Sequence, residues 1–316
     1  MFSHWSFPKI PTIIMLFVLT GREGGARQSS PLVLCQNRTT PGGAMNNIHV
    51  ACGQFETKPG DKGYNIGRIQ DQASEAAERG CDIIVFPEMV LTGYLPEHEM
   101  PELAESLDGD SVSRIRECAQ QHSIAVAFGY PELADDKNTR YNSFVLADES
   151  GQIAGVYRKI HLWDTEALWA KPGSEVLIAR VAGVVMSGWI CYDTRFPEMG
   201  RLAYLRGAEL CLVPTAWLGP GDEWLLATRA RAVDNMFFVA GSDLINRVPG
   251  LECAGHSVIV DPKGHILAQA EAGSDVVIDA KLDPAIMESQ RSRLPLLRDR
   301  KPELYGDLVS KGRATA

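Results

Sequence analysis

Three stretches of the chain each end an apolar run on a residue able to do covalent or proton-transfer chemistry. The run Ile83-Ile84-Val85-Phe86-Pro87 leads to Glu88. A carboxylate set directly after a buried strand sits in low dielectric, which raises its pKa toward that of a useful general base. Gly155-Val156-Tyr157-Arg158 leads to Lys159, with Ile160-His161-Leu162 beyond it. An ammonium in such a run must reach water along its own stem or find a carboxylate, because burying it unpaired is very costly. Val184-Val185-Met186-Ser187-Gly188-Trp189-Ile190 leads to Cys191, and Tyr192-Asp193-Thr194-Arg195-Phe196-Pro197-Glu198 follows. A strand, a tight polar turn and a proline suited to a first helical turn project a nucleophile. They also leave backbone N–H groups free beside it, which can stabilise a thiolate or an oxyanion. Taken singly, each residue also has a plain structural reading: a rim carboxylate, a snorkelling lysine and an inert core thiol.

These residues need a scaffold that alternates strands and helices. Short β-rich runs occur at residues 47–54, 82–86, 123–128, 142–147, 183–190, 209–214, 237–241, 256–260 and 275–280. Helical patterns lie at 63–79, ending at Gly80, at 110–122 with Asp110 as the expected N-cap, and at 222–235. The runs 82–86 and 209–214 are almost wholly apolar, which predicts strands covered on both faces. The β-runs near 142–160 and 256–280 read as hairpins, turning at Glu149-Ser150-Gly151 and Pro262-Lys263-Gly264. The expectation is one mixed α/β domain over residues 45–290. Residues 1–44 read as a disordered or leader-like extension, with an apolar run at 10–19 too short to span a bilayer. Residues 291–316, rich in Arg, Lys and Pro, read as a tail that is either solvated or packed across a partner.

Composition narrows the function. The 316 residues carry 31 Lys plus Arg against 40 Asp plus Glu, a net charge of −9, and 45% are apolar. An acidic chain without a basic run argues against a nucleic-acid partner. Seven scattered cysteines with no CxxC pair read as reduced thiols of a cytoplasmic protein rather than a disulfide scaffold. No HExxH or paired Cys/His spacing points to zinc. No phosphate loop and no GxSxG elbow is present, so neither nucleotide use nor a serine hydrolase is indicated.

Taken together and in order, Phe86-Pro87-Glu88 with Thr92-Gly93-Tyr94, Tyr157-Arg158-Lys159-Ile160-His161 and Cys191-Tyr192-Asp193-Thr194-Arg195-Phe196-Pro197-Glu198 resemble the nitrilase superfamily of carbon–nitrogen hydrolases. Pro214-Thr215-Ala216-Trp217, residues 229–235, Asn246-Arg247 and Gly255-His256-Ser257 are similar to further landmarks of that family, with Asp234 where Glu is more usual. The resemblance implies a four-layer αββα sandwich pairing into αββα–αββα, as a homodimer or higher homo-oligomer. It implies catalysis without metal or organic cofactor: Glu88 as general base, Lys159 beside the oxyanion, Cys191 as nucleophile. Tyr192 would offer its backbone N–H to the oxyanion, and Glu166 would hydrogen-bond Lys159. True nitrilases typically carry Trp-Glu after the cysteine. Tyr192-Asp193 is similar instead to the amidase, ω-amidase and carbamoylase branches, so a small-molecule amide is the expected substrate. Arg195, with Trp217, would contact it; the guanidinium either grips a substrate carboxylate or pairs with Glu198 or Asp193. An N-carbamoyl amidohydrolase, a nitrilase and a non-enzymatic binding protein are the competing readings. No membrane partner is expected.

Overall fold

Runs of Val, Ile and Ala too apolar to face water on either side force the strands of this chain into a layered interior. The computed structural model describes residues 45–310. The expectations for residues 1–44 and for the last six residues therefore lie outside the described residues.

The first half runs β1 (Ile48–Gln54), α1 (Lys62–Glu78), β2 (Ile83–Val85), the single turn α2 (Met100–Leu103), α3 (Asp110–His122), β3 (Ala125–Leu133), β4 (Arg140–Ala147) and β5 (Ile153–Arg158). The second half runs β6 (Ala179–Val181), β7 (Val184–Gly188), α4 (Pro197–Leu205), β8 (Leu210–Thr215), α5 (Gly221–Asn235) and β9 (Phe238–Asp243). Then follow the short pair β10 (Ile245–Asn246) and β11 (Cys253–Ala254), then β12 (Val258–Val260), β13 (Ile266–Gln269), β14 (Val276–Leu282), α6 (Pro284–Arg293) and α7 (Leu296–Asp299).

The strands form two six-stranded sheets, ordered β14-β1-β2-β3-β4-β5 and β13-β12-β9-β8-β7-β6. Each has a parallel centre, β1-β2-β3 in one and β7-β8-β9 in the other, with antiparallel strands outside it. Side chains of the first sheet divide with period two. Val50, Cys52, Ile83, Val85, Ala125, Ala127, Phe144 and Leu146 join the core shared with the second sheet. Ala51, Ile84, Val126, Phe128 and Val145 pack instead against Ile66, Ile69 and Ala73 of α1 and Val112 and Ile115 of α3. Met199, Ala203 and Tyr204 of α4 and Trp224 and Ala232 of α5 cover the second sheet. The layers are thus helix, sheet, sheet, helix, as expected. Each large aliphatic side chain fully buried in them contributes roughly 1.5–3 kcal/mol.

Several local expectations change. Helix α3 is capped by Gly109, and Asp110 is its first residue, where its charge favours the positive end of the helix dipole. The strand expected over 183–190 stops at Gly188 and is preceded by β6, with which it forms a hairpin. In 256–280 only β12 and β13 form a hairpin, because β12 already has β9 on its other edge. Strand β14 crosses to the first sheet and pairs antiparallel with β1, from Ile48 opposite Leu282 to Gln54 opposite Val276. Residues 301–310 of the tail are exposed. No helix among the described residues is long and apolar enough to cross a membrane.

Candidate active site

Glu88 follows β2 and is fully buried. The backbone turns sharply here: Met89 has φ +54°. Strand β3 passes so close that a Cβ on Gly129 would lie 2.7 Å from the Cα of Glu88. Lys159 follows β5, and its N–H donates to the Asn142 carbonyl of β4 at 2.8 Å. Its side chain does not snorkel; it is 1% exposed. The ammonium donates to Glu88 Oε1 at 2.8 Å and to Glu166 Oε1 at 2.9 Å. Asn142 Nδ2 bridges the same two oxygens, at 2.6 Å and 2.7 Å. Glu166 lies in a 3-10 helix, Asp164–Leu168, and also accepts from Tyr94 Oη and the Trp163 N–H, each at 2.7 Å. Among the described residues, Glu88 Oε2 has no hydrogen-bond partner.

Cys191 opens another 3-10 helix, Cys191–Arg195, at φ +43°, a left-handed conformation that a cysteine rarely adopts. Its thiol donates to the Ala216 carbonyl at 3.5 Å. Tyr192 sits in the first turn of this helix, where leading N–H groups have no intrahelical acceptor. The buried Asp193 locks the turn. Its Oδ2 accepts from Tyr157 Oη at 2.8 Å and the Ile190 N–H at 3.1 Å. Its Oδ1 lies 2.7 Å from His161 Nδ1 and accepts the His161 N–H at 2.9 Å. The segment 157–161 that carries Lys159 is thereby tied to the turn that carries Cys191.

Charge and burial set the resting protonation. Burial raises the Glu88 pKa, and the Lys159 ammonium opposes that rise. Burial pulls Lys159 down, but Glu166 and Glu88 together carry it above the ordinary lysine value. Burial and then the Glu88 charge push the Cys191 thiol well up, against the pull of Lys159. A cysteine so placed rests as a thiol and needs a base to become a nucleophile.

Glu88, Lys159, Cys191, Tyr192, Arg195 and Trp217 all line one cavity of about 190 Å³, with Tyr94, Trp163 and Gly219 also on its wall. Every site residue expected from the sequence is at this cavity except Glu166, which stands behind Lys159. Arg195 pairs with neither Glu198 nor Asp193. Asp193 is buried and its oxygens are already taken; Arg195 Nη1 donates instead to Glu223 Oε1 of α5 at 2.6 Å. The guanidinium also lies over the Trp217 ring, 4.8 Å from its centroid. The Trp217 backbone N–H donates to Asp243 Oδ1 at 3.0 Å, which fixes the loop bearing Ala216. Burial raises the Asp243 carboxyl well above its ordinary value.

Sequence reasoning gave no role to Asn142, Asp243 or Glu223, and considered Asp193 only as a partner for Arg195 and a mark of the amidase branch, not as the anchor of the turn. Asn142 did carry a signal, as an amide just ahead of the apolar run Phe144-Val145-Leu146-Ala147. The others act across 26 to 36 residues of sequence, which spacing does not reveal. Among the described residues, the one group with metal-ligand geometry is His49, Cys81 and Asp279. It lies away from the cavity. Both His49 ring nitrogens are engaged, by Asp279 at 2.7 Å and the Gly80 carbonyl at 3.2 Å, and Arg79 bonds Asp279, so the donors are already satisfied.

Comparison with known proteins places this arrangement among relatives. The carbon–nitrogen hydrolase family pattern matches residues 49–292. A 2-oxoglutaramate amidase of Bacillus subtilis is 33% identical, covering 81% of this chain and 98% of its own length. An omega-amidase of Xenopus tropicalis is 30% identical, covering 83% and 98%. A solved structure of a glutamate-to-glutamine mutant of the amidase from Nesterenkonia sp. AN1 superposes with a TM-score of 0.73 at 30% identity, covering 82% of this chain and 95% of that one. In that structure the acetamide moiety of fluoroacetamide is attached covalently to the active-site cysteine.

Proposed function

The chain belongs to the carbon–nitrogen hydrolase family, in the amidase branch of the nitrilase superfamily, and from that premise we propose that it hydrolyses small amides through a thioester on Cys191. The observation that carries the residue roles is the Glu88 carboxylate. Lys159 and Asn142 hold one of its oxygens, while the other is unpartnered, and Glu88 and Cys191 line the same cavity.

Glu88 takes the thiol proton as the Cys191 sulfur attacks the amide carbon. The oxyanion that forms meets the Lys159 ammonium and the Tyr192 backbone N–H, and loss of one such donor typically costs about 3–4 kcal/mol. Glu88 returns the proton to the departing nitrogen, the carbon–nitrogen bond breaks, and ammonia or an amine leaves. Glu88 then deprotonates water, which attacks the thioester; the acid departs and the sulfur regains its proton. Glu166 touches no reacting atom. It holds Lys159 from the far side and keeps it charged. The cavity of about 190 Å³ supports a small acyl portion.

Arg195 and Trp217 support a substrate that also bears a carboxylate, which a guanidinium on the cavity wall can bind. Neutral amides hydrolysed as well as carboxylated ones, with no loss in Arg195→Ala, would remove that part of the reading. The test of the reaction is ammonia release from an amide panel together with intact mass of the trapped acyl-enzyme. Cys191→Ala should abolish both; turnover without any adduct on Cys191 overturns the mechanism.

Residues 45–290 are proposed as the hydrolase domain, and α4 with the tail as a face for a second copy of the chain. Leu202 and Leu205 of α4 and Leu308 and Val309 of the tail are exposed around a cleft of about 820 Å³. Arg201, Glu198 and Asp234 line it as well, and a face carrying both signs can pair with itself. A cytoplasmic setting is supported by the six described cysteines, all unpaired.

A further inference from the structure

The outer wall of the cavity holds a second set of polar groups that the hydrolytic chemistry leaves unused. Trp217 is 5% exposed, yet its indole N–H has no hydrogen-bond partner among the described residues. An unpartnered buried donor is costly unless a ligand or water completes it. The ring cannot turn away, because Asp243 holds its backbone and Trp224 packs against it at 5.4 Å. Above the ring lies the Arg195 guanidinium, which makes one side-chain hydrogen bond, to Glu223. A Cβ built on Gly219 would stand 3.0 Å from both Trp217 Nε1 and Glu223 Oε2. The indole N–H and the Glu223 carboxylate thus converge on one spot at the cavity rim. The pair Arg195–Glu223 is about 40% exposed on each side (42% and 41%), and ion pairs that exposed are weak.

The proposed function already gives Arg195 a substrate carboxylate to bind. We propose that the Trp217 indole N–H completes that contact, and that Glu223 occupies the arginine in the free enzyme and yields it to the substrate's own carboxylate. This rests on the amidase reading for its substrate, a short amide with an acid group at its far end. Glu223 is then a specificity-determining residue. Its charge competes with the substrate's for one guanidinium, so it sets how strongly the enzyme prefers carboxylated over neutral amides. Glu223 lies in the first turn of α5, and no Glu223 atom lines the cavity itself.

The test measures binding without turnover. Protein carrying Cys191→Ala is titrated by calorimetry with succinamate and with its neutral counterpart butyramide. Adding Glu223→Gln, or Glu223→Ala as a second variant, should tighten succinamate relative to butyramide by about fivefold, because a weak internal competitor is gone. Arg195→Ala should weaken succinamate by about tenfold or more. Trp217→Phe, which keeps a ring but removes the donor, should weaken it by a smaller factor. A succinamate-to-butyramide ratio within twofold of the parent in both Glu223 variants overturns the competition. An undiminished affinity in Trp217→Phe overturns the indole contact. Failure of the Cys191→Ala protein to bind succinamate overturns the subsite. Ammonia release by the unmodified enzyme is scored separately: binding without release keeps the subsite and sinks the hydrolase reading.

Discussion

Glu88 has one oxygen fixed by two donors and the other free, and the chemistry divides along that line. Glu88→Gln keeps the fixed contacts and loses the base. It should lower kcat by about 100- to 10,000-fold with little change in folding, as read by ammonia release and far-UV dichroism. The pH profile follows from the same group. A base must be ionised to work, and burial raises Glu88, so kcat/KM should climb with pH through a value above the ordinary carboxylate pKa of about 4.3. The Glu166 charge also raises Glu88. Glu166→Gln should therefore move the acid limb to lower pH, and a limb that stays put or moves up refutes the coupling. Glu88, Lys159 and Cys191 stand out in the sequence because each ends an apolar run on a reactive group. Asn142 and Glu223 do not, because their meaning lies in a partner rather than in their neighbours along the chain. The expected Arg195 pairing looked along the local sequence, and the true partner stands on the next helix, 28 residues away.

Among the elements, two tight junctions position the site. Strand β3 must pass against the turn holding Glu88, and only the absence of a side chain at Gly129 permits it. Gly129→Ala should cost about 1–3 kcal/mol by overpacking, measured as a lower urea midpoint, and should reduce kcat more than it raises KM. Asp193 is the second junction, with four donors gathered on one carboxylate from two parts of the chain, the segment 157–161 and Ile190. Asp193→Asn turns an acceptor of those bonds into a partial donor. It should cost about 1–3 kcal/mol and slow turnover by loosening both Lys159 and Cys191. The central strands were legible because parallel strands buried on both faces are nearly continuous apolar runs. Strand partners were less so. The sequence 256–280 suggests neighbours that fold back on one another, yet β14 leaves for the other sheet, and nothing in its own residues names β1 as its partner.

At the scale of the whole molecule, α4 connects the active site to the outside. It begins two residues after the 3-10 helix that carries Cys191 and presents Leu202 and Leu205 to solvent. Leu205→Glu should keep a dimer from forming, seen as a halved mass in light scattering, and lower kcat because the turn before α4 loses its brace. A fully active protein of monomeric mass refutes the proposed pairing. The layered architecture itself followed from the order of strands and helices together with the resemblance; the exposed apolar patch did not, since no pattern marked α4 and the tail stood out for its Arg, Lys and Pro rather than for its leucines. One last consequence comes from β1, which is flanked by β2 on one edge and by β14 on the other. Gln54 waits for Val276, 222 residues later, before its strand has both neighbours. During synthesis the earliest of the described strands therefore leaves the ribosome with an open edge and keeps it until residues 276–282 have emerged. A nascent chain halted before residue 276 offers that edge to chaperones, or to other unfinished chains, and only the arrival of β14 withdraws it.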